Sequence, residues 1–265
     1  MKTRILTAIL AIIIYLPFLI LGNNYYLFAN IILSIFASKE IFNIIFKKEN
    51  ISILLLEIYL VLYIFLSKNI ENFYFRLLLF FIIILFMFIK VILSSHQVKL
   101  IDILVSISLT IYASIGFYSL DLLRNININL IFFILITIWV TDSMAYFGGM
   151  KYGKNKLSVN ISPKKTIEGS CIGTFSSLLV GIVFYFFTDI FNNIILSIFI
   201  TFIVSILGQI GDLIESAFKR EYNVKDSGNI LPGHGGILDR FDSLILASPF
   251  LLIIVEILRW LIYHN

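Results

Sequence analysis

The sequence predicts an all-α fold: a polytopic membrane bundle of about nine helices, with its N-terminus in the cytoplasm. Three observations carry this. First, of 265 residues 60% are hydrophobic and 14% charged, and the mean hydropathy is +1.00. Soluble domains are about 45–50% apolar and about 25% charged, so this chain has too little polar surface to cover a water-soluble core. Second, the apolar residues gather into runs of the length that crosses a bilayer, about 20 residues. Third, the connections between runs divide the Lys and Arg residues unequally, which sets orientation.

Taken in order, the apolar runs are 5–22, 27–46, 51–67, 75–94, 101–120, 129–149, 170–188, 193–215 and 243–262. The first follows Lys2 and Arg4 as a signal peptide would. It ends in Leu-Ile-Leu-Gly-Asn-Asn, which offers no small-residue cleavage site, so it is predicted to stay as a helix. The third run is short, and the eighth carries acidic residues. With the N-terminus inside, cytoplasmic connections hold Lys2, Arg4, Lys39, Lys47, Lys48, Lys90, Lys99, Lys151, Lys154, Lys156, Lys164, Lys165, Lys219, Arg220, Lys225 and Arg240. The opposite side holds only Lys68, Arg76, Arg124 and Arg259. Losing one helix would scramble this alternation, so the bias supports the helix count as well as the orientation. Segments 150–169 and 216–242 then share the cytoplasmic face.

The whole of 1–265 is predicted to be one membrane-embedded domain, with N-terminal helices in 1–128 and the chemistry in 129–265. The composition excludes a free-standing soluble domain. The single cysteine, Cys171, cannot form an internal disulfide, and its small apolar neighbours suggest packing.

The charge is concentrated in Gly208–Asp242. Asp212, Glu215, Ser216 and Lys219 are spaced to share one helix face. A carboxylate at the bilayer centre costs about 2.5–3.5 kcal/mol, so Asp212 needs a cation or a donor. Two readings stand: an internal ion pair with Lys219 or Arg220, or ligation of a divalent cation, whose preferred ligands are oxygens. The segment Asn-Ile-Leu-Pro-Gly-His-Gly-Gly-Ile-Leu-Asp-Arg-Phe-Asp, 229–242, follows. Its glycines permit close approach of backbone to a ligand, and N–H groups ahead of a helix suit phosphate. Asp239 and Asp242 stand at the predicted start of the last helix, where the dipole favours their ionised forms. They read either as metal ligands or as capping residues paired with Arg240. His234 reads equally as a loop-ordering donor or a catalytic group.

A third cluster joins the sixth run to the loop after it. Asp142, Tyr146 and Gly149 share a face, and Lys151, Lys154, Lys156, Ser162, Lys164, Lys165 and Thr166 follow. Lysines and hydroxyls near a helix start suit an anionic ligand, a triphosphate or a lipid headgroup. The plainer reading of the lysines is charge bias and attraction to anionic lipid.

These residues resemble the phosphatidate cytidylyltransferases, or CDP-diacylglycerol synthases. Ser216, Phe218, Lys219-Arg220, Lys225-Asp226, His234-Gly235-Gly236, Ile237, Asp239-Arg240, Phe241 and Asp242 match that family's signature without departure. The helix of Asp142 and Tyr146 and the segment Ser162 to Gly169 are similar too. The first half is similar only in being helical and apolar. The resemblance implies that CTP and phosphatidate give CDP-diacylglycerol and pyrophosphate. It also implies a divalent cation, Mg²⁺ or Mn²⁺, held by Asp212 and Asp239, with a monovalent cation such as K⁺ helping. It implies a homodimer. The expected location is the inner (plasma) membrane, with the active site on the cytoplasmic face that the charge bias indicates, and no nucleic-acid partner is expected.

The chemistry expected of the residues agrees. The nucleophile is a phosphate oxygen, already ionised, so positioning and charge neutralisation suffice. Asp226 and Asp242 are secondary candidates for the metal. Lys219, Arg220, Lys225 and Arg240 are candidates for phosphates. Asp142, Ser162, Lys164, Lys165 and Thr166 are candidates for the nucleotide region. A CTP-dependent polyprenol or phytol kinase would have a hydroxyl acceptor and need a base. A cation-coupled transporter would also carry intramembrane acids, but no internal repeat pairs the two halves.

Overall fold

A computed structural model describes residues 2–47, 50–94, 98–230, 233 and 235–264. They form nine α-helices and one β-hairpin: α1 (Lys2–Leu21), α2 (Asn23–Phe46), α3 (Ile51–Leu66), α4 (Phe73–Leu93), α5 (Leu100–Ile126), α6 (Ile128–Tyr152), β1 (Lys156–Ser158), β2 (Ser162–Thr166), α7 (Ile167–Phe187), α8 (Ile194–Glu221) and α9 (Leu238–His264). Among the described residues eight helices, α2 to α9, are long and apolar enough to cross a membrane, α3 together with the 3₁₀ turn Ser67–Asn69 that ends it. The protein is a multi-pass, all-helical membrane protein.

Each predicted run lies on one helix. The ends differ where caps outrank hydropathy. Thr166 accepts the Gly169 N–H at 3.2 Å and starts α7 three residues before its predicted start at 170. Asn127 accepts the Asn129 N–H at 2.9 Å and starts α6. The hairpin was not predicted. Its strands are antiparallel, with Lys156 opposite Thr166 and Ser158 opposite Ser162. Glu168 closes its base, accepting from Lys154 N–H at 3.1 Å and Asn155 Nδ2 at 2.8 Å. An acid in the first turn of α7 is also favoured by the helix dipole.

The chain divides into two compact units. The first comprises residues 1–118 and 222–240. Its largely apolar interior contains a polar seam. Ser34 on α2 donates to Ser114 on α5 at 3.0 Å. Glu57 on α3, fully buried, accepts from Ser38 at 3.1 Å and from Ser106. Hydroxyl donors from neighbouring helices are the usual way to satisfy an intramembrane polar group.

The second unit comprises residues 119–221 and 241–265. Here α6 and α7 pack backbone against backbone. A Cβ on Gly169 would stand 2.6 Å from the Ala145 carbonyl oxygen, and one on Gly173 2.5 Å from that of Thr141. Small residues four apart are what let membrane helices approach this closely. Phe133 of α6 meets Phe184 and Phe191 edge-on, with ring centroids 5.4 and 5.0 Å apart. Cys171, expected to pack inside, is exposed. It sits on α7, between the inward glycines at 169 and 173.

Candidate active site

The second unit assembles one cluster. Lys165, at the end of β2, forms an ion pair with Asp212 of α8; their side chains are 31% and 26% exposed. Asp212 also accepts from Ser216 Oγ, one turn on, at 3.2 Å. Asp142 of α6 lies within electrostatic range of Asp212 and Lys165. Asp242 of α9 lies within range of Asp212, Asp142 and Lys165. Its Oδ1 accepts the Ser243 N–H at 2.6 Å. Of these three carboxylates Asp212 pairs directly with Lys165, and the other two lie within its electrostatic range.

One expectation is corrected here. The cation beside Asp212 is Lys165, not Lys219 or Arg220. Seven residues of α-helix span about 10.5 Å, too far for a direct pair along α8. Lys219 pairs instead with Glu215, one turn away, and both are buried. Arg220 is exposed and donates from Nε to the Ile161 carbonyl at 3.4 Å, which ties α8 to the hairpin.

Beneath the cluster a polar ladder binds α6, α7 and α8. Ser170 donates to Gln209 Oε1, and Gln209 Nε2 donates to Thr174 Oγ1 at 2.8 Å. Ser205 reaches Thr174 at 3.3 Å, and Thr141 stands 2.9 Å from Ser205. The ladder holds the helices that carry Asp142 and Asp212.

The first unit assembles a second cluster, on the glycine loop. Asp239, in the first turn of α9, accepts at Oδ2 from the N–H of Ser227 and the N–H of Gly236, both at 2.8 Å. The Ser227 hydroxyl is 2.9 Å from that same oxygen and 2.9 Å from Glu40 Oε2. Glu40 belongs to α2 and is 2% exposed. Gly235 has φ +87°, a left-handed conformation, and a Cβ there would meet Asp239 Oδ2 at 2.4 Å. Glycine is thus required where the loop passes over the carboxylate.

The remaining predicted residues fall as follows. Ser162 is half-buried and Lys164 exposed on β2, while Thr166 is buried as the α7 cap. Lys225, Asp226 and Arg240 are exposed. His234 lies outside the described residues, as does Lys48. Sequence reasoning missed Glu40, Gln209 and Ser170. Glu40's one signal was an acid inside an apolar run.

Both clusters carry an excess of negative charge. In the second unit three carboxylates lie in range of one lysine. In the first, two carboxylates are served by neutral donors, four backbone N–H groups and the Ser227 hydroxyl. Oxygen-rich, anion-excess sites of this kind suit a hard divalent cation. Among the described residues, no three His, Cys, Asp or Glu side chains converge on one point. An ion held here would complete its shell with water or substrate oxygens, as Mg²⁺ commonly does.

The model of the cytidylyltransferase family matches residues 2–258. The chain belongs to the cytidylyltransferase family. Members named phosphatidate cytidylyltransferase are similar to it along nearly their whole length. That of Staphylococcus haemolyticus is 39% identical over 260 residues, 96% of this chain and 99% of the relative. That of Staphylococcus epidermidis is 39% identical over 258 residues, with the same coverage. That of Staphylococcus aureus is 38% identical over 261 residues, again 96% and 99%. Within this cytidylyltransferase the match takes in the apolar first half, including α2 and Glu40, which the signature left out.

Proposed function

We infer that the chain transfers the cytidylyl group of CTP to phosphatidate, giving CDP-diacylglycerol and pyrophosphate. What carries the reading is the 38–39% identity to phosphatidate cytidylyltransferases over 96% of the chain. In the reaction a phosphate oxygen of phosphatidate forms a bond to the α-phosphorus of CTP. The bond from that phosphorus to the bridging oxygen breaks, and pyrophosphate leaves with its electron pair. The nucleophile needs no base, so the protein's part is to hold two anions together and neutralise their charge.

Asp212 and Asp239 are the proposed holders of a divalent cation, Mg²⁺ or Mn²⁺, with Asp242 beside Asp212 and Asp226 as a further candidate. K⁺ is the proposed accessory cation. Bound there, a divalent ion would neutralise charge on the triphosphate. Lys165 orients Asp212 through their ion pair. Lys164, Lys225, Arg220 and Arg240, all exposed, are the proposed holders of phosphates of CTP or the lipid headgroup, and Lys219 could join them only by leaving Glu215. Ser162, Thr166, Asp142 and Ser216 complete the proposed nucleotide region, with His234 as a further candidate for substrate. The reading includes a homodimer, an inner-membrane location, and an active site facing the cytoplasm, which the lysine and arginine bias supports.

Purified protein in detergent, given phosphatidate, radiolabelled CTP and Mg²⁺, should yield a labelled lipid and pyrophosphate. Folded protein that makes neither with any of several divalent ions would refute the reading.

A further inference from the structure

From the Glu40 contacts we infer that this glutamate, in the apolar N-terminal half, is a positioning residue for the cytidylyl-transfer site: it fixes the glycine loop and the start of α9, and through them Asp239. This rests on the proposed role of Asp239 in holding a divalent cation.

The geometry is a clamp. Glu40 Oε1 accepts the Ile237 N–H at 2.8 Å, and Oε2 accepts the Leu238 N–H at 2.9 Å. These are donors at the amino end of α9, which no helical carbonyl can satisfy. The partner carboxylate stands 197 positions earlier in the chain than Ile237. The Ser227 hydroxyl, 2.9 Å from Oε2, links it to Asp239. Tyr222 donates to Asp102 at 3.2 Å and pins the loop's other end to α5.

The space around Glu40 is reserved for it. A Cβ on Gly236 would stand 2.4 Å from both carboxylate oxygens, and one on Gly228 2.8 Å from Oε1. The glycines of the loop therefore have a second function besides approach to a ligand: they admit Glu40. An ionised acid nearly excluded from water inside a membrane unit is costly. Two backbone donors at the helix start and the Ser227 hydroxyl offset that cost only if the loop takes this one conformation. The same conformation brings the N–H groups of Ser227 and Gly236 onto Asp239.

Glu40→Gln tests this, because the amide places an N–H against one of the two backbone donors while keeping the size. The full chain in detergent, without substrates, is titrated with Mn²⁺ by electron paramagnetic resonance, beside Asp239→Asn and Glu40→Asp. Melting temperature and elution volume report folding. Partners that orient a metal ligand are worth about 10–100-fold in affinity or activity, so Glu40→Gln should weaken Mn²⁺ binding at least about tenfold. It should raise the Mg²⁺ needed for half-maximal turnover in parallel, lower kcat, and leave KM for phosphatidate unchanged. Glu40→Asp, which keeps the charge, should recover part of the loss. Mn²⁺ binding lost in Asp239→Asn but normal in Glu40→Gln overturns the inference and spares the metal reading. Equal binding by wild type and Asp239→Asn overturns the metal reading, and the inference with it. Should Glu40→Gln not fold, Gly236→Ala, which crowds Glu40 from the loop side, is read by the same outcomes.

Discussion

Lys165→Gln removes the ammonium that lies in range of Asp142, Asp212 and Asp242 in the second-unit cluster. Its ion pair with Asp212 is neither buried nor open, the two side chains being 31% and 26% exposed. A fully exposed pair is worth about 0.2–1 kcal/mol, while breaking a fully buried one costs about 3–5 kcal/mol. A charged hydrogen bond contributes about 1.5–3 kcal/mol, the range that suits this intermediate case. Lost from the transition state, that is about 10–150-fold in kcat/KM for CTP, at about 1.4 kcal/mol per tenfold. Thermal stability should change much less, because relieved desolvation of Lys165 offsets part of the lost attraction. The assay is steady-state turnover with varied CTP at saturating phosphatidate, beside a melting curve. Lys165→Arg should keep more activity than Lys165→Gln, since it preserves the charge. If Lys165→Gln stays within twofold of wild type, the lysine is a surface counter-ion and its assignment to the site is wrong.

Other predictions follow from separate features. Asp212→Asn and Asp239→Asn should each abolish turnover while expression and elution volume persist; near-normal rates at ordinary Mg²⁺ would refute their role. Chelation by EDTA should stop turnover, and added Mg²⁺ or Mn²⁺ should restore it. Gly173→Ala places a Cβ 2.5 Å from the Thr141 carbonyl oxygen, so about 1–3 kcal/mol of overpacking should lower the melting temperature. Glu57→Ala deprives the Ser38 and Ser106 hydroxyls of their acceptor, which should cost about 1–3 kcal/mol. Glu57→Gln keeps an acceptor and should melt closer to wild type.

The helices were legible because each is an apolar run of bilayer length, and their caps shifted the ends by only a few residues. The hairpin was not. Its strands hold three and five residues, mostly lysine and serine, with no alternating pattern to reveal them. Asp212 was legible as an acid needing a partner. The partner itself was not, because Lys165 reaches it by chain folding, whereas helical spacing offers Lys219 and Arg220. Asp239 was legible through the signature. Glu40 was hidden because its role depends on backbone N–H groups, which every residue carries and no composition betrays.

The clamp at Glu40 also imposes an order on the protein's synthesis. The chain inserts from its N-terminus, and the acceptor is made 197 residues before its donor at Ile237. At about 5–20 residues per second, α2 waits about 10–40 s with that acid unsatisfied. Glu57 waits differently. Ser38 has already been made when Glu57 emerges, so one of its donors is present at once. The N-terminal helices are thus left without the partners of Glu40 until translation is almost finished. A chain that stalls before Ser227 would carry an exposed fault in α2, a mark by which membrane quality control could tell it from the finished protein.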